Sequence, residues 1–445
     1  MCRMCWIVVS VILLSMAVAV PMFAHAQAPA GGSVAPVKEA VGRVDDYIDL
    51  RAGFRVRLPV GLERTDMRSA SQMVSWSQRD AKTGAIVWTL SVNSMRAAGG
   101  GPMQKQMDDI VATLKDKENF EIESAKLVKV GPDEAIDLQG TATLDATGKT
   151  AGKIQWWQRQ VWVRHDDKFL TWRITGPAQA REEMNGVMAG VLKSLALIDA
   201  KQALAEREKN LKAGAVWLVR LKEMDVGKRL KPASEQWFTI TQDDKPVGWA
   251  VMTFAVEGKS VTTRLTLCTE SAEIDGSTSA ALDRSEAVGT LRVRNALDRS
   301  WQTIEQSELA KETLTVIEAA AGGRSRTREK SVPTATFLPT ALVQAIPLLV
   351  DRDKPATLSF AVNAPRDPQL DVCTVRVGVK RDVILDGKRV QAVPVEVQQA
   401  EDAGADVFWI GPEGTMLRVE SSSGFRMTLS TQSAVLKTFP DAKVE

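Results

Sequence analysis

Hydrophobic and polar residues alternate along much of the first half of the chain, the pattern of strands with one buried face. At 54–58, three apolar residues alternate with Arg55 and Arg57. Other segments with strand character lie at 73–77, 86–92, 120–130, 134–144, 153–164 and 169–174. Apolar residues at helical spacing occupy 103–114 and 184–195. This order predicts an α+β domain over residues 47–198, an antiparallel sheet with helices packed on one face.

The pattern changes after residue 198. Residues 199–213 are charged and favour helix, which predicts a helical connector. From 214 to 445 the chain reads as many short strands with one apolar helical stretch at 337–349. Asp386-Gly387 between two short strands is a strong hairpin signal. We therefore predict a largely antiparallel β half-barrel around one helix for residues 214–445.

The first 26 residues have the features of a cleavable signal peptide. They carry one basic residue, an apolar run over 6–20 and then Ala24-His25-Ala26. The mature protein is expected to begin near Gln27, and residues 27–46, rich in Ala, Pro and Gly, are expected to form a flexible tether. No later stretch reaches the ~18–20 apolar residues that a membrane-spanning helix needs. We expect a periplasmic or secreted protein with no transmembrane anchor in its mature chain.

Composition limits the chemistry that the chain can perform. The 57 basic and 55 acidic residues nearly cancel, which argues against nucleic acid as a partner, because phosphate recognition needs a concentrated positive surface. Beyond the leader, Cys268 and Cys373 are the remaining cysteines, either as a disulfide or as two separate buried thiols. His165, the single histidine there, is expected on an exposed hairpin tip. The sequence predicts no catalytic site, no metal site and no cofactor.

Two groups of side chains in the second half are candidate binding residues. The first group suits a lipid or other apolar ligand on the concave side of the half-barrel: Trp237, Trp249, Phe254, Phe408, Trp409 and Met416. If the helix at 337–349 fills that side, the same residues are core. The second group shares one strand face and either meets an anionic partner or is the solvated face of a hairpin: Arg324, Arg326, Arg328 and Lys330.

Both halves also resemble known families. The order of elements in 47–198, opening with Gly-Phe-Arg-Val-Arg-Leu-Pro at 53–59, resembles the PsbP-like fold of bacterial envelope proteins and chloroplast extrinsic proteins. Residues 236–432 are similar to the curved sheet around a helix of the LolA/LolB lipoprotein carriers and related envelope proteins. Asp-Lys-Pro-Val-Gly-Trp at 244–249, the helix at 339–349 and the segment 408–420 carry this second resemblance. The resemblances imply binding and transfer no catalytic residue.

The sequence therefore predicts an exported, non-enzymatic envelope protein that binds an apolar ligand or a partner protein. A scaffold or assembly subunit without a small ligand is the alternative. A hydrolase is a remote third reading, because nothing selects one carboxylate pair among the 55 acidic residues.

Overall fold

The computed structural model describes residues 44–59, 62–65, 72–80, 85–96, 101–115, 120–145, 153–165, 168–242, 244–270, 272–295, 301–319, 325–363, 369–385, 387–401, 403–440 and 442. The described residues divide into two compact units, 44–204 and 205–442, which we name the first and the second unit.

The first unit is built mainly of antiparallel strands. Its strands are β1 (Val44–Asp49), β2 (Phe54–Pro59), β3 (Glu63–Thr65), β4 (Gln72–Arg79), β5 (Ile86–Arg96), β6 (Phe120–Val130), β7 (Asp133–Asp145), β8 (Lys153–His165), β9 (Lys168–Pro177) and β10 (Ala196–Leu197). Its helices are α1 (Met103–Lys115) and α2 (Arg181–Ser194), and α3 (Ala200–Leu221) begins in this unit and continues into the second. The main sheet has the order β3-β4-β5-β9-β8-β7-β6, and β1, β2 and β10 form a small second sheet.

The two helices of the first unit lie on opposite faces of the main sheet. Helix α2 buries Met184, Met188 and Val191 in the core that contains Trp172. Helix α1 packs through Met103 against the other face, where Ile136, Phe169 and Trp162 form a separate cluster. The antiparallel α+β fold is confirmed, but the expectation that both helices share one face is wrong. The reason is that β8 and β9 carry large apolar residues on both faces, so each face requires a cover.

The second unit contains the longer sheet. Its strands are β11 (Glu235–Gln242), β12 (Lys245–Glu257), β13 (Ser260–Thr269), β14 (Ala272–Ala281), β15 (Glu286–Asn295), β16 (Trp301–Ala310), β17 (Thr313–Ala319), β18 (Ser325–Ser331), β19 (Ala356–Asn363), β20 (Leu370–Val377), β21 (Arg381–Leu385), β22 (Lys388–Gln398), β23 (Ala405–Ile410), β24 (Met416–Glu420) and β25 (Arg426–Ser430). Its helices are the remainder of α3, then α4 (Val226–Leu230), α5 (Thr340–Leu349) and α6 (Gln432–Thr438).

The sheet runs in the order β18-β17-β16-β15-β14-β13-β12-β11-β25-β24-β23-β22-β20-β19, with β21 paired to β22. All of these ladders are antiparallel, which confirms the half-barrel prediction. Strands β18 and β19 end the sheet, and a side chain links them: the Lys330 ammonium donates to Asn363 Oδ1 at 2.9 Å. The predicted hairpin is also present, with Leu385 opposite Lys388.

Helix α5 fills the concave side of this sheet. Eight of its ten residues are buried, and it packs against β13, β14, β15, β22 and β23. The hydroxyls of Thr263 and Thr278 donate to Gln344 Oε1, which fixes the helix in one position. The last turns of α3 add Trp217, Leu218 and Leu221 to the same core.

Candidate functional site

A cavity of about 330 Å³ opens in the second unit where helix α5 ends. One wall is largely apolar and comes from β22, β23 and the residues after β23: Ala392, Val393, Ile410 and Pro412. The other wall is charged and contains three basic and two acidic side chains: Arg229, Arg352, Lys380, Asp351 and Asp353. We name this space the basic cavity.

Local structure around the end of α5 positions both arginines. Asp225 caps the short helix α4 by accepting from the Lys228 amide at 3.0 Å, and α4 presents Arg229. The Arg229 guanidinium donates to the carbonyls of Leu349 at 3.1 Å and Val350 at 3.4 Å. Carbonyls in the last turn of a helix lack partners within the helix and attract cations. The sequence therefore folds so that the helix terminus holds an arginine at the rim of the cavity.

Arg352 is held in the same way from the other side. Its Nη1 donates to the Leu348 carbonyl at 2.8 Å. The backbone here makes a tight turn, because Asp351 Oδ1 accepts from the Asp353 amide at 3.0 Å. Each arginine uses one guanidinium nitrogen for these carbonyls, and no ion pair among the described residues joins either of them to Asp351 or Asp353.

The electrostatics of the cavity favour an added negative charge. Burial lowers the pKa of Arg352, and the neighbouring Arg229 lowers it further, while Asp353 and Asp351 act in the opposite direction. A lowered arginine pKa means that the charged form is less stable here than in water. An anion placed between the guanidinium groups would relieve that repulsion through charge-assisted hydrogen bonds. The arrangement suits recognition of an anionic group with an apolar part facing Val393 and Ile410.

The six apolar residues proposed from the sequence do not line one cavity. Phe254, Phe408 and Met416 lie in the main core together with α5. Trp237 and Trp249 stack at 6.0 Å on the other face of the sheet, in a cluster with Val435 of α6. Trp409 lies in a third cluster under the β21–β22 hairpin, with the Arg381 guanidinium 4.6 Å from its ring. They divide in this way because both faces of the sheet are covered.

Two of the four basic residues that the sequence proposed as an anion-binding face, those at 324, 326, 328 and 330, have partners within the second unit. Arg326 is exposed, whereas Lys330 is buried and bonded to Asn363. Arg328 is about nine-tenths buried and pairs with Glu318 at 3.3 Å. Arg324 lies outside the described residues. The strand thus has two solvent-shielded cations on its inner side.

The two cysteines are free thiols, so the disulfide alternative is wrong for this structure. Cys373 belongs to the core around α5, while Cys268 packs beside Trp237 and Trp249. Burial raises the pKa of Cys373 to about 12. Burial, assisted by Glu273, raises the pKa of Cys268 to about 11. Neither thiol is activated as a nucleophile.

His165 is also placed differently from the expectation. It ends β8 and is 9% exposed, packed beside Gly53, rather than on an exposed tip. The imidazole is large enough to fill the space that this glycine leaves. The two aspartates that follow His165 lie outside the described residues. Among the described residues, no group of three or more His, Cys, Asp or Glu side chains is arranged to hold a metal ion.

Comparisons with known proteins give partial likenesses. No protein-family model matches the chain, and no curated protein matches it. A cyanobacterial PsbP (CyanoP) from Synechocystis sp. PCC 6803 is 16% identical, with 37% of this chain and 98% of that chain covered and a TM-score of 0.28. A beta-barrel-like protein of a domain of unknown function, DUF1849, from Brucella abortus is 11% identical, with 44% and 95% covered and a TM-score of 0.33.

LpqN, involved in cell envelope biogenesis of Mycobacterium tuberculosis, is 10% identical, with 35% of this chain and 91% of that chain covered and a TM-score of 0.27. No described helix combines the length and the apolar character needed to cross a bilayer.

Sequence reasoning missed the basic cavity. Its charged residues come from three places, at 229, 351–353 and 380, and no local motif joins them. One signal was present: Asp351-Arg352-Asp353 follows directly after an apolar helix, where charged side chains meet unpartnered carbonyls.

Proposed function

We propose that the second unit binds a small amphipathic anion in the basic cavity. The observation that carries the proposal is the pairing of two helix-anchored arginines, Arg229 and Arg352, with an apolar wall across a space of about 330 Å³. Small-molecule sites combine a mainly apolar surface with a few fixed polar groups in this manner. Lys380 at the rim adds a third positive charge.

The size of the cavity limits the ligand. Its volume lies at the lower end of the roughly 300–1,000 Å³ that small-molecule sites occupy. The sequence left two alternatives for the concave side of the sheet, an open site for an apolar ligand or a core filled by the helix, and α5 fills it. The proposed ligand is therefore a compact organic acid or phosphate ester with a short apolar portion.

The binding experiment uses octanoate, with octanol as the uncharged analogue and acetate as the analogue without a chain. Isothermal titration of the full chain is expected to give tighter binding for octanoate than for either analogue. Arg352→Gln and Lys380→Gln should each weaken octanoate binding, Arg352→Gln by about tenfold, since a hydrogen bond to a charged group contributes about 1.5–3 kcal/mol. The bonds to the helix-end carbonyls are made by Arg229 and Arg352, so the Lys380 variant tests binding with those bonds left in place.

Lys245→Gln is the matched control, because it removes one exposed positive charge from the same unit outside the cavity. It should leave octanoate binding unchanged. Equal octanoate affinity in the wild type, Arg352→Gln and Lys380→Gln would refute the proposal. A complete lack of octanoate binding would favour the alternative role, a scaffold or assembly subunit without a small ligand.

We also propose that the protein acts as an exported, non-enzymatic envelope component. The support for export is the pattern of residues 1–26, a basic start, an apolar run and Ala24-His25-Ala26. Mass spectrometry of the protein from fractionated cells should find a mature N-terminus near Gln27 outside the cytoplasm. An intact Met1 terminus in the cytoplasmic fraction would contradict export.

A further inference from the structure

The face of the first unit's sheet opposite α2 carries a cluster of polar side chains. Trp162 of β8 lies directly across from Thr171 of β9, and Gln160 lies across from Arg173. On the other side of β9, Ser91 of β5 is opposite Arg173. Ser91, Gln160 and Thr171 are at most 9% exposed, and Trp162 and Arg173 are half-buried. We name these five residues the polar face.

Arg173 has no counter-charge in this environment. No described residue offers its guanidinium a carboxylate or a hydrogen-bond acceptor, and its Nε is buried. Burial is the one cause that lowers its pKa, so no nearby carboxylate offsets the loss of water. Arg159 provides the contrast on the opposite face, where Asp137 binds it at 2.9 and 2.8 Å.

Two further donors on the polar face lack an acceptor. Thr171 Oγ1 and Trp162 Nε1 are both buried without a hydrogen-bond partner. Buried polar groups in folded proteins are nearly always bonded, and an unsatisfied group points to a water, an ion or a ligand. Arg173 Nε, Thr171 Oγ1 and Trp162 Nε1 are thus three unbonded donors at neighbouring positions of two paired strands.

We infer that the polar face binds an oxyanion, a phosphate or carboxylate group, through the Arg173 guanidinium, with Thr171 and Trp162 as further donors. An oxyanion supplies both the negative charge and the acceptor atoms that these side chains lack. Arg173 is partly exposed whereas Thr171 is buried, so the guanidinium offers the entry point. The inference rests on residues of the first unit alone and is independent of the basic cavity.

The test compares wild type with Arg173→Gln in the full chain. In sodium chloride without other anions, Arg173→Gln should unfold at the same temperature as wild type or higher, because the variant removes an uncompensated charge. Isothermal titration should show that Arg173→Gln weakens binding of inorganic phosphate or acetate by about tenfold or more. Phosphate and acetate are separate arms at equal ionic strength, so the arm that binds identifies the oxyanion.

Lys129→Gln is the control, since Lys129 is an exposed cation of the same unit. It should retain wild-type affinity for the anion. A lower unfolding temperature for Arg173→Gln in chloride would show a structural role and overturn the inference. Equal anion affinity in wild type and Arg173→Gln, or an equal loss in Lys129→Gln, would overturn it as well.

Discussion

Gly214 is the position where one added methyl group should destabilise the second unit most clearly. Helix α3 packs against β19 at this residue, which is buried. A Cβ atom on Gly214 would lie 2.0 Å from the Ser359 carbonyl oxygen and 3.1 Å from Phe360 Cε1. The carbonyl belongs to β19, whose backbone is held by its pairing with β20, and Phe360 is fully buried. The helix itself must therefore move.

The magnitude follows from two opposing effects. The contact is about 1.4 Å shorter than the 3.4 Å at which a Cβ contact becomes ordinary, so α3 must shift by a comparable distance and loosen the packing of Trp217 on Phe360. Overpacking costs about 1–3 kcal/mol, and a backbone clash places this site at the upper end. Replacing glycine by alanine within a helix returns up to about 1 kcal/mol. We expect Gly214→Ala to lose about 2 kcal/mol of unfolding free energy.

Urea unfolding of the full chain, followed by circular dichroism and tryptophan fluorescence, measures this change. Gly190→Ala in α2 is the matched control, because its added Cβ meets nothing within 4 Å and Gly190 is exposed. That variant should gain about 0.5–1 kcal/mol in the first unit. The steric argument fails if Gly214→Ala is as stable as wild type, or if it gains stability as Gly190→Ala does.

Two further predictions concern ionisable groups. Burial and the neighbouring Glu318 raise the pKa of Glu305 to about 7, above its ordinary value of 4.5. The native state therefore favours protonated Glu305, so the free energy of unfolding falls as pH rises from about 4.5 to 7. In urea unfolding, the free energy of unfolding of Glu305→Gln should exceed that of wild type by about 1–2 kcal/mol at pH 8 but by little at pH 5. Equal differences at both pH values would contradict this prediction. In the chain that begins at Gln27, Cys373 should resist a thiol reagent at pH 8 until urea unfolds the protein, when Cys268 and Cys373 should both react. Rapid labelling of native Cys373, or fewer than two reactive thiols after unfolding without reductant, would contradict the free, buried state of Cys373.

Period-two alternation predicts a strand well where the strand has one well-defined buried face. The burial of β2, in which Phe54, Val56 and Leu58 are buried and the arginines between them are exposed, follows the sequence pattern directly. The β21–β22 hairpin was equally local, because Gly387 adopts a positive φ of 75° that a turn of this kind requires.

The distribution of aromatic residues could not be predicted by the same reasoning. Alternation tells which side chains share a face, but it does not tell whether the second face is covered. Trp237 and Trp249 face away from the main core and are nevertheless at most 8% exposed, because α6 packs over them. A strand covered on both sides loses the polar positions that would have separated core from surface. For this reason the sequence grouped six apolar residues on one concave surface, whereas in the structure they belong to three separate clusters.

The arginines of the candidate binding sites could not be predicted from the sequence for a related reason. The role of a charged side chain depends on partners that are distant in sequence. The arginines of this chain illustrate three cases. Arg159 is neutralised by both oxygens of Asp137, so its role is to hold β7 and β8 together. Arg229 and Arg352 bond helix carbonyls, which orient the guanidinium groups without cancelling their charge.

Arg173 has neither kind of partner among the described residues. A desolvated guanidinium without acceptors costs stability, and a fold retains such a group at that cost only where a bound anion or another function compensates. The acceptors around each arginine thus distinguish three roles. Arg159 is structural, the arginines of the basic cavity face a ligand, and Arg173 of the polar face depends on an external oxyanion. Replacing Arg159 by glutamine should consequently destabilise the first unit, because Asp137 would be left buried and unpaired, whereas the same change at Arg173 should not.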